Sequence, residues 1–486
     1  MKKITYYILA AALVIASGCR KYLETAPDQR TQLNTVEKVG ELLGTAYPQA
    51  DYATFTEAAS DNASDKGAGA GMLSENINTA PYFFRDVTER AQGSPTYYWN
   101  ACYSAIAAAN QALEAISNAE DPADYNAQKG EALVARAYNH FMLVTLFSKV
   151  YDQATASQDP GIPYVTTPEK VVNGQYERKT VAFVYEQIEK DLLEGMPLID
   201  NTAYKVPKYH FNKAAANAFA ARFYLYKKDY QKVLTYSNNV FPGGNIRSNL
   251  RPWVTVYSQL TGQEAEAIYT KASENANLLL VEAPSDWARS YGVYRYGLRT
   301  DLARALFSFR NVTGGVWVQP LYYAGTNTDN QLVLKFREHF VRSSANANIG
   351  VPHTIFPLFT AEEALFNRAE ANIYLGNLTA AKQDLNDYAS MRIEDYTADF
   401  RLTDTKLRNY YGTTDIKAAL IFTVLDFKQA EFIQEGMRWF DILRYHIPIV
   451  HTNVAGETET LAPNDPRRLF QLPQEVKLAG LEQNPR

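Results

Sequence analysis

The sequence predicts a mainly α-helical protein, and three observations carry that expectation. Apolar residues recur at steps of three and four over several long stretches. Those stretches come in consecutive pairs with short connections, the pattern of antiparallel helical hairpins. Between the pairs lie long non-periodic segments with Gly and Pro punctuation and scattered Trp, where only minor β structure is expected.

Taken in order, the chain begins with Met1-Lys2-Lys3, an apolar run from Ile4 to Ile15, and Ala16-Ser17-Gly18-Cys19. This is the layout of a secretory signal peptide over residues 1–18. The run is too short to span a membrane as a mature helix. A cysteine at the cut resembles a bacterial lipobox, which implies that the Cys19 sulfur acts as nucleophile and takes lipid; the alternative is an ordinary signal peptide with a chance cysteine. Each buried CH₂ of an acyl chain contributes about 0.8 kcal/mol of anchoring.

Pro95–Ser117 is the first predicted helix, with Trp99, Tyr103, Ile106, Asn110 and Leu113 in register, closed by Asn118 and Asp121-Pro122. The next runs from about Asn126 to Lys149 and sets Leu133, Ala137, Phe141 and Val144 on one face. Thr180–Leu193, Asn212–Tyr226 and a shorter Asp229–Asn238 follow. Thr360–Leu375 and Thr379–Arg392 form a later pair around Gly376-Asn377. The small residues of 214–221 and 364–371 allow close helix approach, as in tetratricopeptide-type stacking. Hairpins are thus expected over about 95–150, 180–240 and 360–445, within a single unit spanning 19–486. Residues 51–94 and 242–359 are expected as loops, and loops of that length are commonly functional.

Composition narrows the classes. A net charge of −5 offers no basic footprint for nucleic acid. With only Cys19 and Cys102 present, a lipidated Cys19 leaves Cys102 without a partner and the fold without an internal disulfide. The aromatic share is 13%, led by 34 Tyr, a ring that serves both helix cores and sugar-binding surfaces.

Several segments then share one resemblance. Lys21-Tyr22-Leu23-Glu24 follows the cysteine; Tyr98 to Ile106 with Ala109-Asn110, and Glu131 to Tyr138, form the first hairpin. Phe366 to Ala371 through Asp384-Leu385-Asn386 forms a late one. Glu431 to Arg444, with Glu435-Gly436-Met437-Arg438-Trp439-Phe440-Asp441 at its centre, and Arg468 to Glu475 followed by Gln483-Asn484-Pro485, close the chain. In this order they resemble the SusD/RagB family of Bacteroidetes outer-membrane lipoproteins. The resemblance implies four tetratricopeptide-like hairpins on one side and a ligand face of irregular loops opposite. It also implies a non-catalytic surface lipoprotein that captures oligosaccharide or polysaccharide and delivers it to a TonB-dependent SusC-like barrel, with outer-membrane lipid held through Cys19. No cofactor is implied. Two departures stand out: Ala16 where leucine is common in the lipobox, and the basic Arg20-Lys21 directly after the cysteine. Peptide or glycoprotein fragments on the same scaffold, and a glycoside hydrolase, are the alternatives.

Sugar recognition sets what a candidate residue must offer. A pyranose packs its axial C–H patch on an exposed aromatic face while polar side chains take its hydroxyls. Trp287 leads, with Asp286, Arg289 and Tyr291 beside it; the alternative is that Trp287 and Tyr291 share one face of a short helix packed on the core. Tyr82 and Phe83, after a Gly-rich loop, form a second group. Trp317 is a third, in a strand-like Val-Trp-Val setting that also suits burial. Glu431, Glu435, Arg438 and Asp441, if helical, sit at ion-pair spacing and suit a structural network better than a catalytic pair. His446 and His451 lack metal-ligand spacing. Asp61 and Asp65 lack the closing Glu of a calcium loop, so turn chemistry explains them. No phosphate loop, nucleophile elbow or dinucleotide fingerprint occurs.

Overall fold

The computed structural model describes residues 33–69, 72–170 and 174–486. The signal segment and Cys19 lie outside the described residues. In chain order the helices are α1 (Val36–Leu43), α2 (Ala53–Ala59), α3 (Asn76–Tyr82), α4 (Pro95–Ser117), α5 (Asn126–Phe147), α6 (Val181–Gly195), α7 (Lys213–Tyr226) and α8 (Tyr230–Asn239). After them come α9 (Gly262–Tyr269), α10 (Trp287–Ser290), α11 (Thr300–Phe307), α12 (Ala361–Tyr374), α13 (Leu378–Ser390), α14 (Asp404–Tyr411), α15 (Ile416–Glu431) and α16 (Arg438–Tyr445). The strands are β1 (Ser64–Asp65), β2 (Asn277–Pro284), β3 (Tyr296–Gly297), β4 (Tyr322–Tyr323), β5 (Gln331–Leu332), β6 (Glu338–Arg342), β7 (Gly350–Thr360), β8 (Ile449–Thr452) and β9 (Thr458–Leu461).

Side chains at the helix starts explain where the long helices begin. Ser94, Thr180, Asn212, Asp229, Thr360 and Asp415 each accept a hydrogen bond from a backbone amide of the first turn. Each such cap answers a donor the helix cannot satisfy, and contributes about 1 kcal/mol. The helices pair as α4/α5, α7/α8, α12/α13 and α14/α15, and successive pairs stack through α5 on α6 and α8 on α12. The α5/α6 crossing is close because both helices present glycine there. A Cβ on Gly130 would stand 2.8 Å from the Gly195 carbonyl oxygen, and one on Gly195 would stand 2.8 Å from that of Gly130.

Two apolar clusters fill the interior. One gathers α1, α2, α4–α8, β2 and part of β7, with Tyr138 packed edge-on against Phe219 and Phe359. The other gathers α9, α13, α15 and the loops around Trp253 and Trp317. Helix α12 lies between them, giving Ala364 and Ala371 to the first and Leu365, Phe366 and Ile373 to the second. Burial on both sides is why this helix carries so little apolar asymmetry in sequence.

Charges bridge the clusters where they meet. Arg392 donates to Glu431 (2.8 Å), Glu362 (3.1 Å) and the Arg251 carbonyl (2.7 Å), and Arg251 donates to Glu362 (2.9 Å). Lys335 donates to Glu435 (2.7 Å) and to the carbonyls of Glu431 and Ile433. Three cations thus meet three carboxylates, all buried.

Three expectations are corrected. The stretch 51–94 holds the short helices α2 and α3, so it is not irregular throughout. Within 242–359, β7 is the central strand of an antiparallel sheet ordered β2-β7-β6, although it carries Pro352 and Pro357. Residues 431–444 are not one helix: Gln434 (φ 66°) and Gly436 (φ 77°) turn the backbone between α15 and α16. Arg438 therefore leaves Glu435 and forks onto Asp61 through two 2.8 Å bonds. Asp441 instead pairs with Lys428 and Arg444.

Beside this turn, Glu57 of α2 accepts the Gly436 amide (2.7 Å) and the Asn62 side-chain amide (3.0 Å), with no cation in contact. Burial raises its carboxyl from the ordinary 4.5 to about 7. The folded chain then holds this proton between 4.5 and 7, where the unfolded chain releases it, so stability falls as pH rises through that window. Glu57→Gln is expected to remove this slope: its melting temperature relative to the parent should climb between pH 5 and pH 8. A constant difference across that range would reject a protonated Glu57.

Candidate functional site

The irregular segments converge on one face. There β1 pairs antiparallel with β3, placing Ser64 opposite Gly297 and Asp65 opposite Tyr296, and Leu73 bridges Tyr294. The Asn78 side chain of α3 extends this short ladder: its amide donates to the Tyr296 carbonyl (2.8 Å) and its oxygen accepts the Tyr296 amide (3.1 Å). Asp65 takes both arms of Arg295 (2.7 and 2.8 Å) and the amides of Gly67 and Val454. Burial pushes the Asp65 carboxyl up, but Arg295 and those amides outweigh it and hold it below its usual range. The turn-forming role expected of Asp65 is thus joined by an ion pair, and Asp61 is used by Arg438.

Lys66 is buried beside this ladder, and its ammonium donates to the Gly292 carbonyl (3.2 Å). Desolvation lowers it to about 7, against the weak opposing pull of Asp329. Next to it, rings stack in a column. Tyr82 lies between Tyr296 (4.3 Å) and His451 (4.1 Å), while Phe83 meets both Tyr82 and Tyr296 edge-on. His451 is fixed from both sides, facing the carbonyls of Tyr82 and Ser60. Only the rim of this column is open: Phe83 is half-buried, and the exposed Arg85 guanidinium lies 4.9 Å over its ring.

The β4–β5 hairpin stands alongside, with Tyr322 opposite Leu332 and Tyr323 opposite Gln331. Its tip leans on the Gly-rich loop, since a Cβ on Gly69 would stand 3.0 Å from the Asn327 amide. Tyr323 is 65% exposed, the most open aromatic side chain of the described residues. A ring that open, on a hairpin whose turn carries Asn327 and Asp329, can accept a flat apolar surface with hydroxyls at its edge.

Most of the aromatic residues singled out in sequence lie elsewhere, and their rings are covered. Trp287 opens α10 at 3% exposure, with its indole N–H donating to the Gln434 carbonyl (3.1 Å). Tyr291 packs 5.8 Å from it and donates to the Val333 carbonyl. This is the core-packing arrangement, so neither ring presents a free face here. Asp286 is half-buried and accepts from Ser290, while Arg289 is tied to Glu338. Tyr82 is held inside the stacked column, and Trp317 sits edge-on to Phe427 (4.8 Å) in the second core cluster, outside any strand. Burial of these large rings is favoured by about 1.5–3 kcal/mol each. The residues that sequence reasoning passed over are Tyr323, Arg85, Lys66 and Arg295. The available signal was Tyr322-Tyr323 running directly into the polar turn Gly325-Thr326-Asn327-Thr328-Asp329-Asn330.

Stacked helical hairpins carrying a loop-built aromatic and polar face define a binding protein. Two family models cover most of the chain: one described as starch-binding associating with outer membrane, over residues 21–225, and the SusD family, over residues 288–475. The chain belongs to the SusD/RagB superfamily of non-catalytic, glycan-binding outer-membrane proteins. Among solved structures it is similar to a SusD superfamily protein from Bacteroides thetaiotaomicron VPI-5482, at 19% identity and TM-score 0.69, covering 93% of this chain and 100% of that one. A SusD-like carbohydrate binding protein from Bacteroides vulgatus ATCC 8482 is 19% identical at TM-score 0.64, covering 92% and 96%. A laminarin binding SusD-like protein is 17% identical at TM-score 0.57, covering 93% and 99%. At these identities the likeness shows the fold. No curated protein sequence matches the chain.

Proposed function

We propose that this protein is anchored in the outer membrane through lipidated Cys19, faces the outside of the cell, captures oligosaccharide or polysaccharide on its loop face and hands it to a TonB-dependent SusC-like barrel. The observation that carries the capture step is the open ring of Tyr323 on the β4–β5 hairpin, next to the polar turn that holds Asn327 and Asp329. Trp287, Tyr291 and Trp317 act as core packing, and Tyr82 as the buried ring of the column whose rim is Phe83. Asp286 and Arg289 lie at the edge of the loop face. Family membership supports the glycan class and the barrel partner, and the solved relatives that bind carbohydrate and laminarin support the same reading.

Affinity electrophoresis of a soluble Arg20–Arg486 form against a polysaccharide panel tests it. At least one neutral or charged glycan should retard the protein. Tyr323→Ala should weaken that binding about tenfold, roughly the loss of one covered ring face. Because Tyr323 is exposed, the melting temperature should stay unchanged. Retardation that survives Tyr323→Ala would remove the loop face from the site. Peptides that displace the glycan would favour the peptide-binding alternative.

A further inference from the structure

A cavity of about 430 Å³ lies where the segment after α5, the end of α7, the end of α16 and the chain's last residues meet. Its volume is within the range of small-molecule sites. Apolar surface comes from Tyr151, Leu443, Leu469 and three prolines. Polar surface comes from side chains whose charges can be matched one by one. Lys149 is answered by Asp159 (2.6 Å), Arg444 by Glu370 (2.7 Å) and Asp465 by Arg467 (2.7 Å). Arg468 is 5% exposed and gives its donors to the carbonyls of Ala462, Ile442, Ile447 and Leu461, with no carboxylate in contact. Lys228 also has no carboxylate within 4 Å among the described residues. The one unmatched acid is the exposed Asp152, which caps the Ala154 amide. Two unanswered cations against one acid leave the wall with a single positive excess.

A second observation is independent of charge. Among the described residues, five non-glycine positions have positive φ, and two of them, Lys228 (φ 59°) and His446 (φ 51°), line this cavity. Each sits just past a helix end, where the reversed backbone bonds of the Asp229 and Ile447 amides to the Tyr224 and Ile442 carbonyls close the helix. Glycine is the favoured residue at such positions, and a larger side chain there is strained. Backbone strain of this kind collects at functional sites. His446 Nδ1 faces the Pro463 carbonyl (3.1 Å), which leaves its Nε2 free for a further partner.

We infer that this cavity is a second binding site, taking a small organic monoanion such as a sugar carboxylate, with Lys228 and His446 meeting the carboxylate, the buried Arg468 adding positive charge from behind the wall and Tyr151 covering the apolar side of the ring. The apolar wall calls for an organic body, and the single excess charge fits a carboxylate better than a phosphate dianion. The residues that line it are not those proposed to hold glycan, so the inference does not depend on what the loop face binds.

Calorimetric titration of the soluble Arg20–Arg486 form with galacturonate, digalacturonate, glucose and inorganic phosphate tests it. The uronates are expected to bind, weakening as salt rises, while glucose and phosphate do not. Tighter binding of digalacturonate than galacturonate would identify the end of an acidic glycan as the source; equal binding would identify the free sugar acid. Lys228→Gly and His446→Gly relieve backbone strain, so each should fold with an unchanged or higher melting temperature and still lose about tenfold in uronate affinity. Uronate binding that is absent, matched by glucose or phosphate, or unaltered in both glycine variants would overturn the inference. Retention of Tyr323-dependent glycan binding in those variants would leave the loop-face reading standing.

Discussion

Arg392→Met is expected to cost about 3–5 kcal/mol of folding stability, the usual loss when one partner of a buried ion pair is removed. The guanidinium is 1% exposed and reaches three elements at once: Glu431 at the end of α15, Glu362 at the start of α12 and the Arg251 carbonyl. Methionine fills much of the same volume, so the loss is electrostatic rather than a cavity. It strands Glu431, whose other oxygen already has no hydrogen-bond partner among the described residues. Tyr388 would remain as the donor to Glu431 at 2.9 Å. Urea denaturation should show the midpoint lowered at a similar slope. A loss below about 1 kcal/mol would mean that water reaches the network and screens it.

Gly436→Ala is expected to be nearly as damaging, at about 2–4 kcal/mol, by adding backbone strain to overpacking. At φ 77° the backbone is left-handed, and the new Cβ would stand 2.5 Å from Thr56 Oγ1 and 2.9 Å from the Ala53 Cα. The hydroxyl can rotate away, but the helix backbone cannot. Displacing the turn would loosen two bonds it anchors: the Gly436 amide to Glu57, and the Trp287 indole to the neighbouring Gln434 carbonyl. A red-shifted tryptophan emission in the folded state should accompany the lower denaturation midpoint. An unchanged midpoint would show that α2 can withdraw from the turn.

How much of this was legible in the sequence depended on the range of the forces. Helices α4, α5, α7, α8, α12 and α13 were readable to within about two residues, because caps and one-sided apolar spacing are local signals. The role of α12 as a wall between two cores was not readable, since burial on both sides erases periodicity. Strand β7 was hidden by its two prolines, which argue against a central strand until the partner strands are known. The ion pairs were expected in kind but not in partner: a left-handed turn at Gln434 and Gly436 separates Arg438 from Glu435, while Asp441, one turn along the same helix, is taken by Lys428 and Arg444. The ligand face was the least legible. Tryptophan is the strongest sugar platform by chemistry, yet Trp287 and Trp317 are buried for the same apolar area that recommended them. Exposure of Tyr323 is decided by the hairpin's position among distant loops, which no local pattern encodes.

The turn at 434–437 has a consequence for the order in which the molecule can assemble. Arg438 holds Asp61 across 377 residues of chain, and the Gly436 amide holds Glu57 across 379. Helix α2 packs locally on α3 and on Tyr98 of α4, but the polar contacts that seat it against this turn come from far along the chain. Long loop closure slows folding. These two contacts therefore form late in folding, and the turn that makes them locks in place a segment laid down long before it.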